Sequence, residues 1–139
     1  MSIQGGCLCG AVRYQCSVDA VLQFNCHCRD CQRSSGSGFA PIACFPLESV
    51  SISGELRYFQ SSGSSGKNIS RGFCPQCGSS LFGLVELLRG LLCIRAGTFD
   101  VPALFEPNAN LFVSHASPWD HPDPGLKAYA ENIPRGKVP

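Results

Sequence analysis

Charge of one sign is what this 139-residue chain most plainly lacks: eleven Lys and Arg stand against ten Asp and Glu, for a formal net charge of +1. There is no basic block, so a nucleic-acid backbone has little to hold, and nucleic acid is not an expected partner. Long apolar runs are missing too. Residues 90–94 are among the longest, far short of a bilayer span, so no membrane partner is expected. Residues 1–10 show no apolar stretch behind a basic start, which argues against a signal peptide. Methionine and tryptophan occur once each, and no internal repeat is visible. A cytoplasmic location is the resulting expectation.

Cysteine, glycine and proline are plentiful, at ten, fifteen and ten. Glycine and proline recur every several residues, a punctuation that favours short strands and turns over long helices. Strands are expected at residues 11–16, 21–25, 39–45, 49–53, 56–60, 68–73, 80–85, 91–96 and 110–114. Residues 29–34 read as a turn of helix and residues 125–132 as a short terminal helix. The Ser-Gly run at 61–66 reads as a mobile hairpin loop, and residues 118–124 as a Pro-rich loop. No domain boundary stands out, so residues 1–139 are taken as one mainly β, zinc-binding domain with few short helices.

In a reducing compartment, so many cysteines point to metal or catalysis and not to disulfides. Seven of the ten fall in three tight groups: Cys7-Leu8-Cys9-Gly10, Cys26-His27-Cys28-Arg29-Asp30-Cys31 and Cys74-Pro75-Gln76-Cys77-Gly78. A C-x-x-C turn brings two sulfurs to the spacing of a tetrahedral zinc edge. Pro75 presets φ for that turn, and Gly78 can take the left-handed conformation that aims backbone N–H groups at sulfur. Cys7 and Cys9 make a looser clip of the same kind. Two clips make one closed four-thiolate site, whose formation contributes roughly 10–16 kcal/mol in small zinc peptides. The middle group offers three thiolates and no obvious fourth, the usual arrangement of a metal with an open position. Spacing alone leaves open which clip pairs with which. Filling both sites would move the net charge from +1 to about −2.

Around these groups, His27 reads as a plain surface imidazole, as a supporting or substrate-facing group, or as a fourth ligand; if the segment is extended, its ring turns away from Cys26 and Cys28. Arg29 and Arg33 could hold a substrate carboxylate or be solvated charges. Cys16, Cys44 and Cys93 sit singly in apolar strand patterns and read as inert packing. Cys93 would be the nucleophile of a sulfoxide reductase, but its setting Leu91-Leu92-Cys93-Ile94 reads as buried, with no activating cation read one or two residues away. Trp119 reads as a packing anchor, His115 and His121 as surface groups, and Arg71 as a solvated or paired strand charge.

The string Gly5-Gly6-Cys7-Leu8-Cys9-Gly10-Ala11-Val12-Arg13-Tyr14, the Cys26-His27-Cys28-x-x-Cys31 cluster and Phe73-Cys74-Pro75-Gln76-Cys77-Gly78-Ser79 resemble the family of glutathione-dependent formaldehyde-activating enzymes, which includes centromere protein V. Ser35-Gly36-Ser37 and Ser117-Pro118-Trp119 fit as well, and the resemblance spans roughly residues 3 to 130. It implies a β-tent fold of packed antiparallel sheets around zinc, shared with methionine-R-sulfoxide reductases. It also implies the pairing: Cys7, Cys9, Cys74 and Cys77 as a structural Zn2+ site, and Cys26, Cys28 and Cys31 as a second, labile site that carries catalysis. The implied reaction joins formaldehyde to the thiol of glutathione as S-(hydroxymethyl)glutathione, a carbon–sulfur lyase activity. Many members have His before the apolar triplet that leads to the late Trp, whereas here Asn110 precedes Leu111-Phe112-Val113. The rival reading is a non-enzymatic zinc module that binds a small ligand or a protein.

Overall fold

The computed structural model describes residues 2–63 and 66–134. Chain order begins β1 (Ile3–Gly6), β2 (Arg13–Cys16), β3 (Leu22–Cys26), the helix α1 (Arg29–Ser35), β4 (Ala40–Pro46) and β5 (Val50–Ser53). It continues β6 (Arg57–Ser62), β7 (Asn68–Phe73), β8 (Ser80–Val85), β9 (Leu91–Arg95), β10 (Ala109–Leu111) and β11 (Lys127–Ala128). Three strands form an antiparallel sheet in the order β1-β2-β5, and eight form a larger sheet in the order β11-β10-β3-β4-β9-β8-β7-β6. The mainly β, packed-sheet architecture expected from the sequence is therefore present. At one edge of the large sheet β10 runs parallel to both β3 and β11.

One core lies between the sheets, where Val12, Tyr14, Phe45, Phe82, Leu92 and Ile94 meet. A second lies on the opposite face of the large sheet, with Phe24, Ile42, Cys44, Cys93 and Leu111. Strand β4 feeds both. Ala43 and Phe45 point to the first core, while Ala40, Ile42 and Cys44 point to the second. Burial on both faces explains its nearly unbroken apolar run. Phe45 and Phe82 are completely buried, each burial contributing about 2–3 kcal/mol.

Two elements differ from the sequence expectation. Strand β1 was not anticipated, because its Gly5 and Gly6 look like loop residues. A Cβ placed on Gly5 would lie 2.3 Å from the Tyr14 hydroxyl and 2.2 Å from the Thr98 carbonyl oxygen. Close approach, with Tyr14 hydrogen-bonded to Thr98 at 2.7 Å, is what demands glycine there. The terminal helix expected at 125–132 does not form. Eight residues are too few to hold a helix without packing support, and backbone pairing captures the segment as β11 and extended chain. Tyr129 N–H donates to the Asn110 carbonyl at 2.9 Å, and Phe112 N–H to that of Glu131 at 2.8 Å. Of the loop expected at 61–66, residues 61 and 62 instead continue β6, and the β6–β7 hairpin turn is closed by Gly63 N–H to the Lys67 carbonyl at 2.8 Å. Residues 64 and 65 at its tip lie outside the described residues.

Candidate metal centre

The first thiol group is built from two hairpin turns. Cys7 and Cys9 lie in the β1–β2 connection, and Cys74 and Cys77 in the β7–β8 connection. Gly10 (φ 81°) and Gly78 (φ 76°) follow the two clips in the left-handed conformation, the role foreseen for Gly78. Packing of the small sheet on the large one brings the clips together, with all four sulfurs within 4.8 Å of one another. Cys7 and Cys9 Sγ are 3.6 Å apart, and Cys9 and Cys74 Sγ 3.8 Å. A tetrahedron with metal–sulfur bonds of about 2.3 Å has edges of about 3.8 Å. The four sulfurs have the size and shape to enclose a metal ion.

Their electrostatics lead the same way. The Ser79 hydroxyl and N–H hold Cys77 down at about 5, whereas Cys9, despite an N–H from Ala11, is pushed up to about 11 by burial and the neighbouring thiols. Burial opposes ionisation of Cys7, yet the Val12 N–H, donating to its sulfur at 3.2 Å, and the adjacent thiols bring it down. Thiolates this close oppose one another's ionisation, and a dication removes that conflict.

The second group sits where β3 turns into α1. Cys26 ends β3, and Cys28 caps α1, accepting the Cys31 N–H on its sulfur at 3.3 Å. The three sulfurs again lie within 4.8 Å of one another, and no fourth His, Cys, Asp or Glu joins them among the described residues. Hydrogen bonds from Cys26 and Cys31 hold Cys28 down at about 2. Neighbouring Cys28 and Cys31, with burial, drive Cys26 far up. Cys26 and Cys31 are each 6% exposed, while Cys28 is half-buried. The set therefore opens to solvent at Cys28.

His27 is not part of it. Its ring points away from the cysteines, as alternation along an extended segment requires, and at 1% exposure it is not the surface imidazole the sequence suggested but a buried, hydrogen-bonded group. Nδ1 lies 2.6 Å from Asp120 Oδ2 and Nε2 3.0 Å from Asn110 Oδ1. Asn110 is oriented by its own Nδ2, which donates to the Asp123 carbonyl at 3.2 Å. Both ring nitrogens are thus committed to oxygen acceptors, and neither is left for a metal. Gln32 fixes the same corner, donating to the carbonyls of His27 at 2.7 Å and His115 at 3.0 Å.

The chain that delivers Asp120 turns at Phe112, the only non-glycine residue with positive φ (56°) among those described. Trp119 is not the packing anchor expected, because its ring is 67% exposed. It lies beside Gly38, where an added Cβ would sit 3.0 Å from the indole and 3.1 Å from Asp120 Cγ. His115 and His121 are exposed as expected. Arg29 donates to Gln32 Oε1, whereas Arg33 is exposed with no partner among the described residues. Asp120, Asn110 as an anchor, and Gln32 were not found by reading the sequence. Each is a single polar residue whose meaning depends on a partner about 80 to 90 positions away or across a loop.

The sequence model of the glutathione-dependent formaldehyde-activating enzymes matches residues 2–115, well over half the chain. This chain belongs to that family. The matched span contains all seven clustered cysteines, His27 and Asn110, while Asp120 and Trp119 lie beyond it. No curated protein matches the chain. Among solved structures it is similar to a Rhodobacter sphaeroides protein, at 20% identity and a TM-score of 0.56, over 70% of this chain and 87% of that one. That likeness supports the fold alone. No helix among the described residues is long and apolar enough to cross a membrane.

Proposed function

We propose that the protein is a zinc enzyme that adds a small thiol, glutathione, to an aldehyde such as formaldehyde, with Cys26, Cys28 and Cys31 as its catalytic metal site. Cys7, Cys9, Cys74 and Cys77 then hold a second zinc that is structural, residues 1–139 act as one unit, and the cytoplasm keeps the thiols reduced. The observation that carries this reading is the three-sulfur set that opens at Cys28 while His27 is held away from it. A fourth protein donor would close the site, and none is in place among the described residues.

Zinc bound there supplies an open coordination position with affinity for sulfur. The residues do the rest. Cys26 and Cys31, buried at 6% exposure, wall off one side, so the substrate enters past Cys28. Asp120, Asn110 and Gln32 fix the β3–α1 corner, which keeps the three sulfurs convergent. Arg33, exposed on α1 five residues after Cys28 and without a partner among the described residues, is a cation that suits a glutathione carboxylate. Arg29 is already engaged by Gln32. In the reaction a sulfur–carbon bond forms, the carbonyl π pair becomes the hydroxyl oxygen's lone pair, and the thiol proton ends on that oxygen. The reverse direction breaks a carbon–sulfur bond, which is the lyase sense. Three thiolates leave the metal site with net negative charge, which weakens acidification of bound water. Thiol capture and positioning therefore suit the site better than hydroxide generation.

The test combines metal analysis, glutathione titration and a formaldehyde-consumption assay. Two zincs of unequal lability are expected, with glutathione perturbing the weaker one and formaldehyde consumed only when glutathione is present. One tightly held zinc, with no second site in zinc-replete buffer, would instead identify a binding module.

A further inference from the structure

Cys44 and Cys93, which read singly as packing residues, are brought together. They stand directly opposite each other on the adjacent antiparallel strands β4 and β9, with sulfurs 2.8 Å apart. Directly opposed residues have Cα atoms about 4.5–5.5 Å apart, inside the range of roughly 4.4–6.8 Å that a disulfide requires. The sulfurs are within about 1 Å of bonding distance. Side-chain adjustment alone would close the bond.

The surroundings are not those of two inert hydrophobes. Arg95 follows Cys93 by two residues on the same strand and so shares its face. A cation therefore does stand two residues from Cys93, where the sequence reading placed none. Its charge favours the ionised form of Cys44, and it donates to Ser34 Oγ at 3.3 Å while its buried Nε has no acceptor. On the other flank Gly83 stands opposite Cys93, and Arg71 stands opposite Gly83. Gly83 places no side chain in that row. Arg71 donates to Ser61 Oγ at 3.0 Å, and its buried Nε likewise lacks an acceptor. Neither arginine forms a salt bridge among the described residues. Two guanidinium groups therefore flank the pair along one sheet face, Arg71 two strands away and Arg95 on the same strand, where its charge also reaches Cys31.

We propose that Cys44 and Cys93 are a disulfide-forming modification site, separate from both metal groups, whose oxidant is a small hydroperoxide. Burial sets the oxidant class: at 0% and 4% exposure Cys44 and Cys93 are too enclosed for a bulky disulfide, which leaves the smallest hydroperoxide, hydrogen peroxide. It also sets the order. Cys93, at 4% exposure against 0% for Cys44, is the more accessible of the two, while the bond to Cys93 and burial push Cys44 up. The Cys93 sulfur attacks a peroxide oxygen, so an S–O bond forms, the O–O bond breaks and one water leaves. The Cys44 sulfur then attacks Cys93, so the S–S bond forms, the S–O bond breaks and a second water leaves. The two thiols supply two electrons and two protons to the peroxide.

The zinc-replete protein is treated with a slight excess of hydrogen peroxide, denatured into N-ethylmaleimide and mapped by mass spectrometry. The expected product has lost two hydrogens and joins the Cys44 and Cys93 peptides, with both zincs retained and the seven clustered cysteines alkylated. Free, alkylated Cys44 and Cys93 in a protein whose zinc thiolates have already oxidised would overturn the proposal, as would a cross-link between other cysteines. That measurement needs no variant. In Cys44→Ser, dimedone added together with denaturant after the peroxide should capture a sulfenic acid at Cys93, whereas Cys93→Ser should give no capture at Cys44. The opposite pattern would overturn the assigned order.

Discussion

Removing the Asp120 carboxylate should cost far more stability than a surface ion pair would suggest. His27 and Asp120 side chains are 1% and 8% exposed, and their atoms meet at 2.6 Å. Asp120→Ala leaves a buried imidazole nitrogen without an acceptor, a loss of about 1–3 kcal/mol, rising to about 3–5 kcal/mol where a buried ion pair is broken. The slight exposure of Asp120 lets water reach the vacated space, which places the expected loss near 2.5 kcal/mol. For a chain of this length that lowers Tm by about 8 °C. Asp120→Asn, which keeps an oxygen acceptor, should lose about 1 kcal/mol. The Arg13–Asp100 pair is the control. It too joins distant parts of the chain, but both side chains are 44% exposed, so solvent screens it and Asp100→Ala should leave Tm nearly unchanged. Thermal unfolding of the zinc-replete variants, followed by circular dichroism, decides the matter. Equal effects of Asp120→Ala and Asp100→Ala, or no effect of the former, would refute the view that His27 is a buried positioning residue.

The other expectations concern the same two centres. Cys74→Ser should unfold the chain or loosen it badly, whereas Cys28→Ser should abolish thiol addition with the far-ultraviolet spectrum unchanged; a folded Cys74→Ser protein would contradict the roles assigned. Gly38→Val should push aside Trp119 and Asp120 and lower Tm by as much as Asp120→Ala. Because Trp119 is the only tryptophan, its fluorescence reports the displacement, and an unaltered spectrum would count against it. Acid should release zinc. Protons compete with the metal for every thiolate, and even without metal Cys77 is held at about 5 in the folded chain against an ordinary 9.0, so the unfolded chain binds more protons between those values. Stability therefore rises with pH across that window and falls as pH drops toward 5. A Tm that is flat from pH 9 to 5 would contradict this.

The thiol groups were legible because metal clips are local. Two cysteines, a turn and a glycine lie within five residues at Cys74–Gly78, so spacing alone reveals them. The orientation of His27 was also legible, since alternation along an extended segment is a local property. Which clip meets which came only from family resemblance, and the fold juxtaposes Cys7 and Cys9 with Cys74 and Cys77 as that resemblance implied. What could not be read was register. Nothing in the chain says that residue 44 stands opposite 93, or that Asp120 in a Pro-rich loop reaches a histidine ninety-three positions away. The missed β1 and the mistaken terminal helix share this cause. Gly5 is set by a tyrosine across the sheet, and residues 127–128 are held by the open edge of β10. Local propensity is silent on both.

Zinc X-ray absorption of the fully loaded protein, recorded with and without glutathione, bears most directly on the claim that these sulfurs bind the metal and one site stays open. The expected spectrum has a sulfur-dominated first shell at about 2.3 Å with no imidazole scattering, and glutathione adds sulfur to it. An imidazole signature, or a shell already saturated with sulfur and indifferent to glutathione, would show that the second site is closed and would contradict the account.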